Sequence, residues 1–167
     1  VPYFENNIGF SQKWIPVMYL IGGIVTVITS PIIGKMSDKI GNKTTFIILL
    51  FLSFIPIILT THIQKATIPI VIMICATFFI FAAGRMIPAY TIMSGAMTKE
   101  MRGAFMSTRS AFLELGTFVA TTISGFIVTI DKTTGIVSNY KTVGYISVMA
   151  GLICLLIVLR IRIVCKD

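Results

Sequence analysis

Along the chain, apolar runs of membrane-spanning length alternate with short polar breaks. Residues 14–33 carry no charge and end in a cluster of Gly, Lys and Asp. A second run covers residues 44–61. After a polar connection at 62–67 the apolar character resumes at Ile68 and continues to residue 97, interrupted only by Arg85. A fourth run covers 103–130 and a fifth 143–159, separated by a polar segment in which Gly135, Ser138 and Asn139 are turn formers. Crossing a hydrocarbon core takes about 20 apolar residues of helix, so each run predicts one transmembrane span. The third is longer than a straight span needs and predicts a tilted or bent helix. The bend belongs at Gly84-Arg85-Met86-Ile87-Pro88, because Pro88 has no N–H for the carbonyl of Gly84. Val1-Pro2-Tyr3-Phe4 reads as the end of an earlier helix. The pattern therefore predicts an all-α membrane protein, five complete transmembrane helices plus the end of a sixth, and residues 1–167 as a fragment of a longer chain.

Composition excludes a water-soluble alternative. Hydrophobic residues make up 56% of the 167 and charged residues 12%, with a mean hydropathy of +0.94; soluble domains carry about a quarter charged residues. The net charge of +8 would suggest nucleic acid if it formed a stripe, but the basic residues sit between the apolar runs, so no nucleic-acid partner is expected and the lipid bilayer is. Lys35, Lys39, Lys43, Lys99, Arg102, Arg160, Arg162 and Lys166 fall on one side of the membrane, and Lys13, Lys65, Lys132 and Lys141 on the other. Cytoplasmic loops carry the excess of Lys and Arg. The reading is a multi-pass protein of the cell (inner) membrane with its C-terminus in the cytoplasm. Cys75, Cys154 and Cys165 have no metal-ligand spacing and are expected to be packing residues.

Small residues recur four apart in the first span (Gly22, Thr26, Ser30, Gly34) and in the fourth (Gly116, Ala120, Ser124), a pattern that lets helix backbones approach closely in lipid. The second and fifth spans offer few polar positions and look lipid-facing.

The segment Gly34-Lys35-Met36-Ser37-Asp38-Lys39-Ile40-Gly41-Asn42-Lys43 reads as a short basic cytoplasmic turn with one acid and two glycines. It resembles the signature loop of the major facilitator superfamily: glycine, three residues, aspartate, a basic residue, any residue, glycine, then two basic residues. Asn42 departs at the first of the final pair. Two further spans precede Thr98-Lys99-Glu100-Met101-Arg102-Gly103, which is similar to the family's loop between its fourth and fifth helices, and Arg85 is similar to the family's buried arginine in the fourth helix. Gly116-Thr117-Phe118-Val119-Ala120 lacks the Gly-Pro pair that many members carry in the fifth helix of their first half. The resemblance therefore implies the C-terminal six-helix half of a 12-helix major facilitator fold, efflux-permease-like, partnered by the N-terminal half of the same protein. It also implies a gating role for Gly34, Asp38, Lys39, Gly41 and Lys43.

Three charges lie within spans, Arg85, Arg109 and Glu114, and two of them are level. Arg85 and Glu114 are each about 12 residues from the same cytoplasmic connection, about 18 Å along a helix, so they are expected to share a level near the bilayer midplane and to pair. Ser107, Ser110, Glu114, Thr117, Thr121 and Ser124 form one polar stripe, which favours a proton- or substrate-handling role for Glu114 with Thr117 and Thr121 beside it. Tyr90 and Met93 follow Arg85 on the bent helix and are candidate substrate contacts. Arg109 points about 140° away from Glu114 and is expected to snorkel or to contact the loop. His62 is expected to be solvated in an outer loop, and Trp14 beside Lys13 to anchor at the interface.

These readings converge on a secondary transporter of a small organic solute, proton-coupled and directed outward, working by alternating access around a midplane site. The alternative is a membrane scaffold or receptor that keeps the fold without transporting. No enzyme activity is expected, since nothing places a nucleophile and a base together, and no metal or cofactor is expected.

Overall fold

The computed structural model describes residues 2–63, 66–95, 101–131 and 135–160. A short α1 (Pro2–Asn6) and a 3-10 turn at Gln12–Trp14 lead into α2 (Ile15–Ile40). The chain continues through α3 (Asn42–His62), α4 (Ile68–Gly84), α5 (Met86–Gly95), α6 (Arg102–Ile127) and α7 (Tyr140–Arg160). Five stretches are long and apolar enough to cross a membrane: Gln12–Ile40, Asn42–His62, Ile68–Gly95, Arg102–Ile127 and Tyr140–Arg160. The third is interrupted near where the sequence places its bend: α4 ends at Gly84 and α5 begins at Met86, with Arg85 between them.

The basic turn expected over residues 34–43 is much shorter. Nothing in Lys35 to Ile40 opposes helix, so α2 runs on past the apolar boundary until Gly41, whose φ of 88° and ψ of 146° suit glycine alone. α3 begins at once. The backbone N–H and Oγ1 of Thr45 each donate to the Gly41 carbonyl at 3.0 Å, and Ser37 Oγ donates to Asn42 Oδ1 at 2.6 Å. Asn42, the departure from the family pattern, thus fastens the two helix ends.

Lipid cannot satisfy backbone or hydroxyl groups, so the interior must. Thr45, Ser53, Ser37 and Thr61 are buried, and among the described residues no buried side-chain nitrogen or oxygen lacks a partner. Most hydroxyls bond to a carbonyl one turn back in their own helix, as Thr26 does to Gly22 and Ser30 to Thr26.

The main packing pairs are α2 with α4, α3 with α4 and α3 with α7. Glycine enables several of these approaches: a Cβ at Gly22 would run into the Phe79 ring, one at Gly84 into Ile33, and one at Gly144 into Thr61. The expected stripes are only partly used. A Cβ at Gly34 or Gly116 would meet nothing within 4 Å. α3, expected to face lipid, carries a lipid-type face with Phe51, Ile55 and Leu59 exposed, but its other face is the most buried in the bundle, through Leu49, Leu50, Ser53 and Pro56. α6 is the opposite case: none of its 26 residues is buried.

At the end of the bundle opposite Gly41, Phe10, Met18, Val71 and Cys75 form a core cluster. Tyr3 Oη donates to the Ile63 carbonyl at 2.6 Å, and its ring stacks on Tyr140 at 4.2 Å. Asn7 pairs with the backbone of Val137 through both its amide atoms at 2.8 Å. Val137 belongs to a two-residue strand β2 (Val137–Ser138) that pairs with β1 (Thr129–Ile130), a hairpin too short for the sequence pattern to announce. Gly135 and Asn139 adopt positive φ, as turn formers do. His62 is not a solvated loop residue: it ends α3, and its Nε2 lies 2.8 Å from Tyr145 Oη on α7. Cys75 is buried and Cys154 half-buried, both as free thiols; Cys165 lies outside the described residues.

Candidate functional site

The break between α4 and α5 positions the first candidate side chain, Arg85. Pro88 leaves the Gly84 carbonyl without an intrahelical donor, and Gly84 presses against Ile33 of α2, so the chain turns at Arg85 with φ −64° and ψ −19°. Arg85 is half-buried and lines an open-sided cavity of about 820 Å³ bordered by residues of α2 to α7, with Phe4 of α1 contributing.

Aromatic and sulfur-bearing side chains make up nearly half of the lining of this cavity. Tyr19, Phe46, Phe78, Phe79 and Tyr140 supply rings, and Met18, Met86 and Met93 supply thioethers. Its polar groups are few: Thr60, Thr61 and Ser147, besides Arg85 and Arg109. The two arginines are its only charged lining groups among the described residues, and the lining contains no carboxylate.

Arg109 is the cavity-lining residue that sequence reasoning did not place there. Its guanidinium carbon sits 4.2 Å from the centre of the Tyr90 ring, a cation–π contact that joins α6 to α5. A signal for it existed. Tyr90 precedes the connection between α5 and α6 by about as many residues as Arg109 follows it, to within about one helical turn, so the depth argument applied to Arg85 and Glu114 applies equally here. Depth alone selects levels; which side chains meet depends on how each helix is rotated.

The other predicted residues separate. Glu114 is exposed on α6 and lines no part of the cavity; among the described residues it makes neither the expected ion pair with Arg85 nor another polar contact. Thr117 and Thr121 lie on an open hollow along α6, and their hydroxyls donate at 2.8 Å to the carbonyls of Leu113 and Thr117. Tyr90 touches Arg109 and is 43% exposed. Met93 lines the cavity as anticipated.

The residues of the signature segment serve the junction of α2, α3 and α7. Asp38 and Lys39 are exposed on the last turn of α2, and Gly41 makes the turn itself. Lys43 Nζ donates to the Leu159 carbonyl at 3.0 Å, supplying a cation where the C-terminal end of α7 carries partial negative charge. Gly34 sits within α2 with room beside it.

The arrangement offers a roomy, largely apolar cavity lined by two arginines, beside a helix, α6, none of whose residues is buried. No curated protein and no solved structure matches the chain. The family model described as Major Facilitator Superfamily matches residues 1–164. With five membrane-crossing helices, a helix–glycine–helix signature junction and a match along nearly its full length, the chain belongs to the major facilitator superfamily of membrane transporters.

Proposed function

We propose that this chain is the C-terminal six-helix half of a proton-coupled secondary transporter that exports a small organic solute by alternating access, in the cell membrane with its C-terminus in the cytoplasm. The observation that carries the reading is α6. It is long enough to span the bilayer, none of its residues is buried, and Glu114 lies exposed midway along it. A charge held against lipid at mid-membrane costs about 2.5 to 3.5 kcal/mol even on the lenient insertion scale. The polar face of α6 therefore calls for a wet path or a protein neighbour, and an N-terminal half rocking against this one supplies both. Proton coupling is assigned to Glu114 because it is the acidic group within the five spans that lies away from either helix end. Outward direction is supported by the resemblance to bacterial efflux permeases.

The test is Glu114→Gln in the full-length transporter reconstituted in proteoliposomes. The amide keeps most hydrogen-bonding capacity but exchanges no proton. Solute exchange should survive, while accumulation driven by a pH gradient should fall at least tenfold. Unchanged proton-driven accumulation would remove Glu114 from the coupling mechanism.

A further inference from the structure

Two cations facing one apolar cavity with no acid among its lining residues is an unusual electrostatic state inside a membrane. We propose that the cavity binds an amphipathic organic anion, its acidic group held by Arg85 and Arg109 and its hydrophobic body laid against Tyr19, Phe46, Phe78 and Phe79. The inference rests on the transporter reading above and names the substrate class for it.

Three observations carry it. First, the guanidiniums are available. Both line the cavity, among the described residues neither donates a hydrogen bond to protein, and none of their nitrogens is fully buried without a partner. Second, Arg109 is presented for use. Its guanidinium carbon lies 4.2 Å from the centre of the Tyr90 ring, a cation–π contact that takes up no N–H hydrogen bond, and a guanidinium carries five donors suited to bidentate recognition of a carboxylate, sulfonate or phosphate. Third, the nearest candidate counter-ion is absent from the site: Glu114 lies outside the lining and forms no pair with Arg85. The cavity's volume of about 820 Å³ admits a multi-ring solute, and its aromatic wall selects one with an apolar body over an inorganic anion. A cationic solute would meet two like charges in a low-dielectric setting, where repulsion is poorly screened.

The experiment uses two dyes that share a tricyclic body and differ in charge: fluorescein, an anion, and rhodamine 123, a cation. Fluorescence polarisation is measured on the purified full-length transporter in detergent. Saturable binding of fluorescein, at least tenfold tighter than that of rhodamine 123, is expected. Arg85→Gln and Arg109→Gln should each weaken fluorescein binding tenfold or more, which corresponds to about 1.4 kcal/mol. Arg85→Lys and Arg109→Lys keep the charge and guard against misfolding; each should stay within tenfold of the parent and retain the preference for the anion. Equal or tighter binding of rhodamine 123, fluorescein affinity unchanged in both glutamine variants, or loss of charge preference in both folded lysine variants would overturn the proposal. Dye flux in proteoliposomes separates this from the transport reading. Selective fluorescein binding without flux supports the site and refutes transport, whereas rhodamine 123 flux without fluorescein binding refutes the site and leaves transport standing.

Discussion

Replacing Gly144 by alanine should destabilise the bundle even though alanine is the better helix former. An added Cβ would lie 2.9 Å from both Cβ and Cγ2 of Thr61 and closer still to its Oγ1. Thr61 cannot swing clear, because its Cβ is fixed by the backbone of α3 and its hydroxyl bonds to the carbonyls of Ile57 and Ile58 at 3.0 and 3.1 Å. α3 and α7 must therefore part, and overpacking of this kind costs about 1 to 3 kcal/mol. Against that stands about 1 kcal/mol gained from helix propensity, so the net loss is about 0 to 2 kcal/mol. Comparison with Gly23→Ala isolates the clash: Gly23 has nothing within 4 Å of a new Cβ and should show only the gain. The gap between the two variants, read from denaturant unfolding of the full-length transporter in bicelles, should be about 1 to 3 kcal/mol. Thr61→Ala in the Gly144→Ala background removes two of the three offending atoms and should recover roughly half of that gap. Equal stability of the two single variants, or no recovery in the double, would refute the packing argument.

Three shorter predictions follow from the rest of the molecule. In a background without Cys75, Cys154 and Cys165, a cysteine at Asn139 should react with an impermeant reagent from outside the cell and one at Lys39 should not; the reverse pattern would invert the topology. Asp38→Asn should lower the transport rate at least tenfold while leaving membrane insertion normal, and wild-type transport in that variant would end the gating role assigned to the signature segment. His62→Ala and Tyr145→Phe should each cost about 0.5 to 1.5 kcal/mol, the worth of one hydrogen bond. Because each change removes the same contact, the double variant should cost no more than the larger single effect plus a few tenths, and full additivity would show that the two residues act separately.

How far the sequence carried can be seen helix by helix. The number of spans, their approximate positions and the helix break ahead of Pro88 were all legible, because they follow from one-dimensional constraints. Lipid demands about 20 apolar residues per crossing, and proline removes a particular hydrogen bond. The signature segment was legible as a motif but not as a shape. Its residues from Gly34 to Ile40 are helical, since a helix does not stop where the apolar run stops but where a residue such as Gly41 breaks it.

What only the tertiary structure decided is which sides of the helices meet. Depth along the membrane put Arg85 level with Glu114, yet rotation about the helix axes turns Glu114 to the exposed side of α6 and brings Arg109 over Tyr90 instead. The same holds for glycines: Gly22 and Gly144 sit at close helix contacts while Gly34 and Gly116, identical in sequence terms, have open space beside them. Helix rotation and partner choice arise from the packing of six segments at once, and in lipid that packing rests on shape rather than hydrophobic exclusion. Hydropathy carries little record of shape, so the transmembrane spans were written plainly in the sequence and the doubly cationic cavity between them was not.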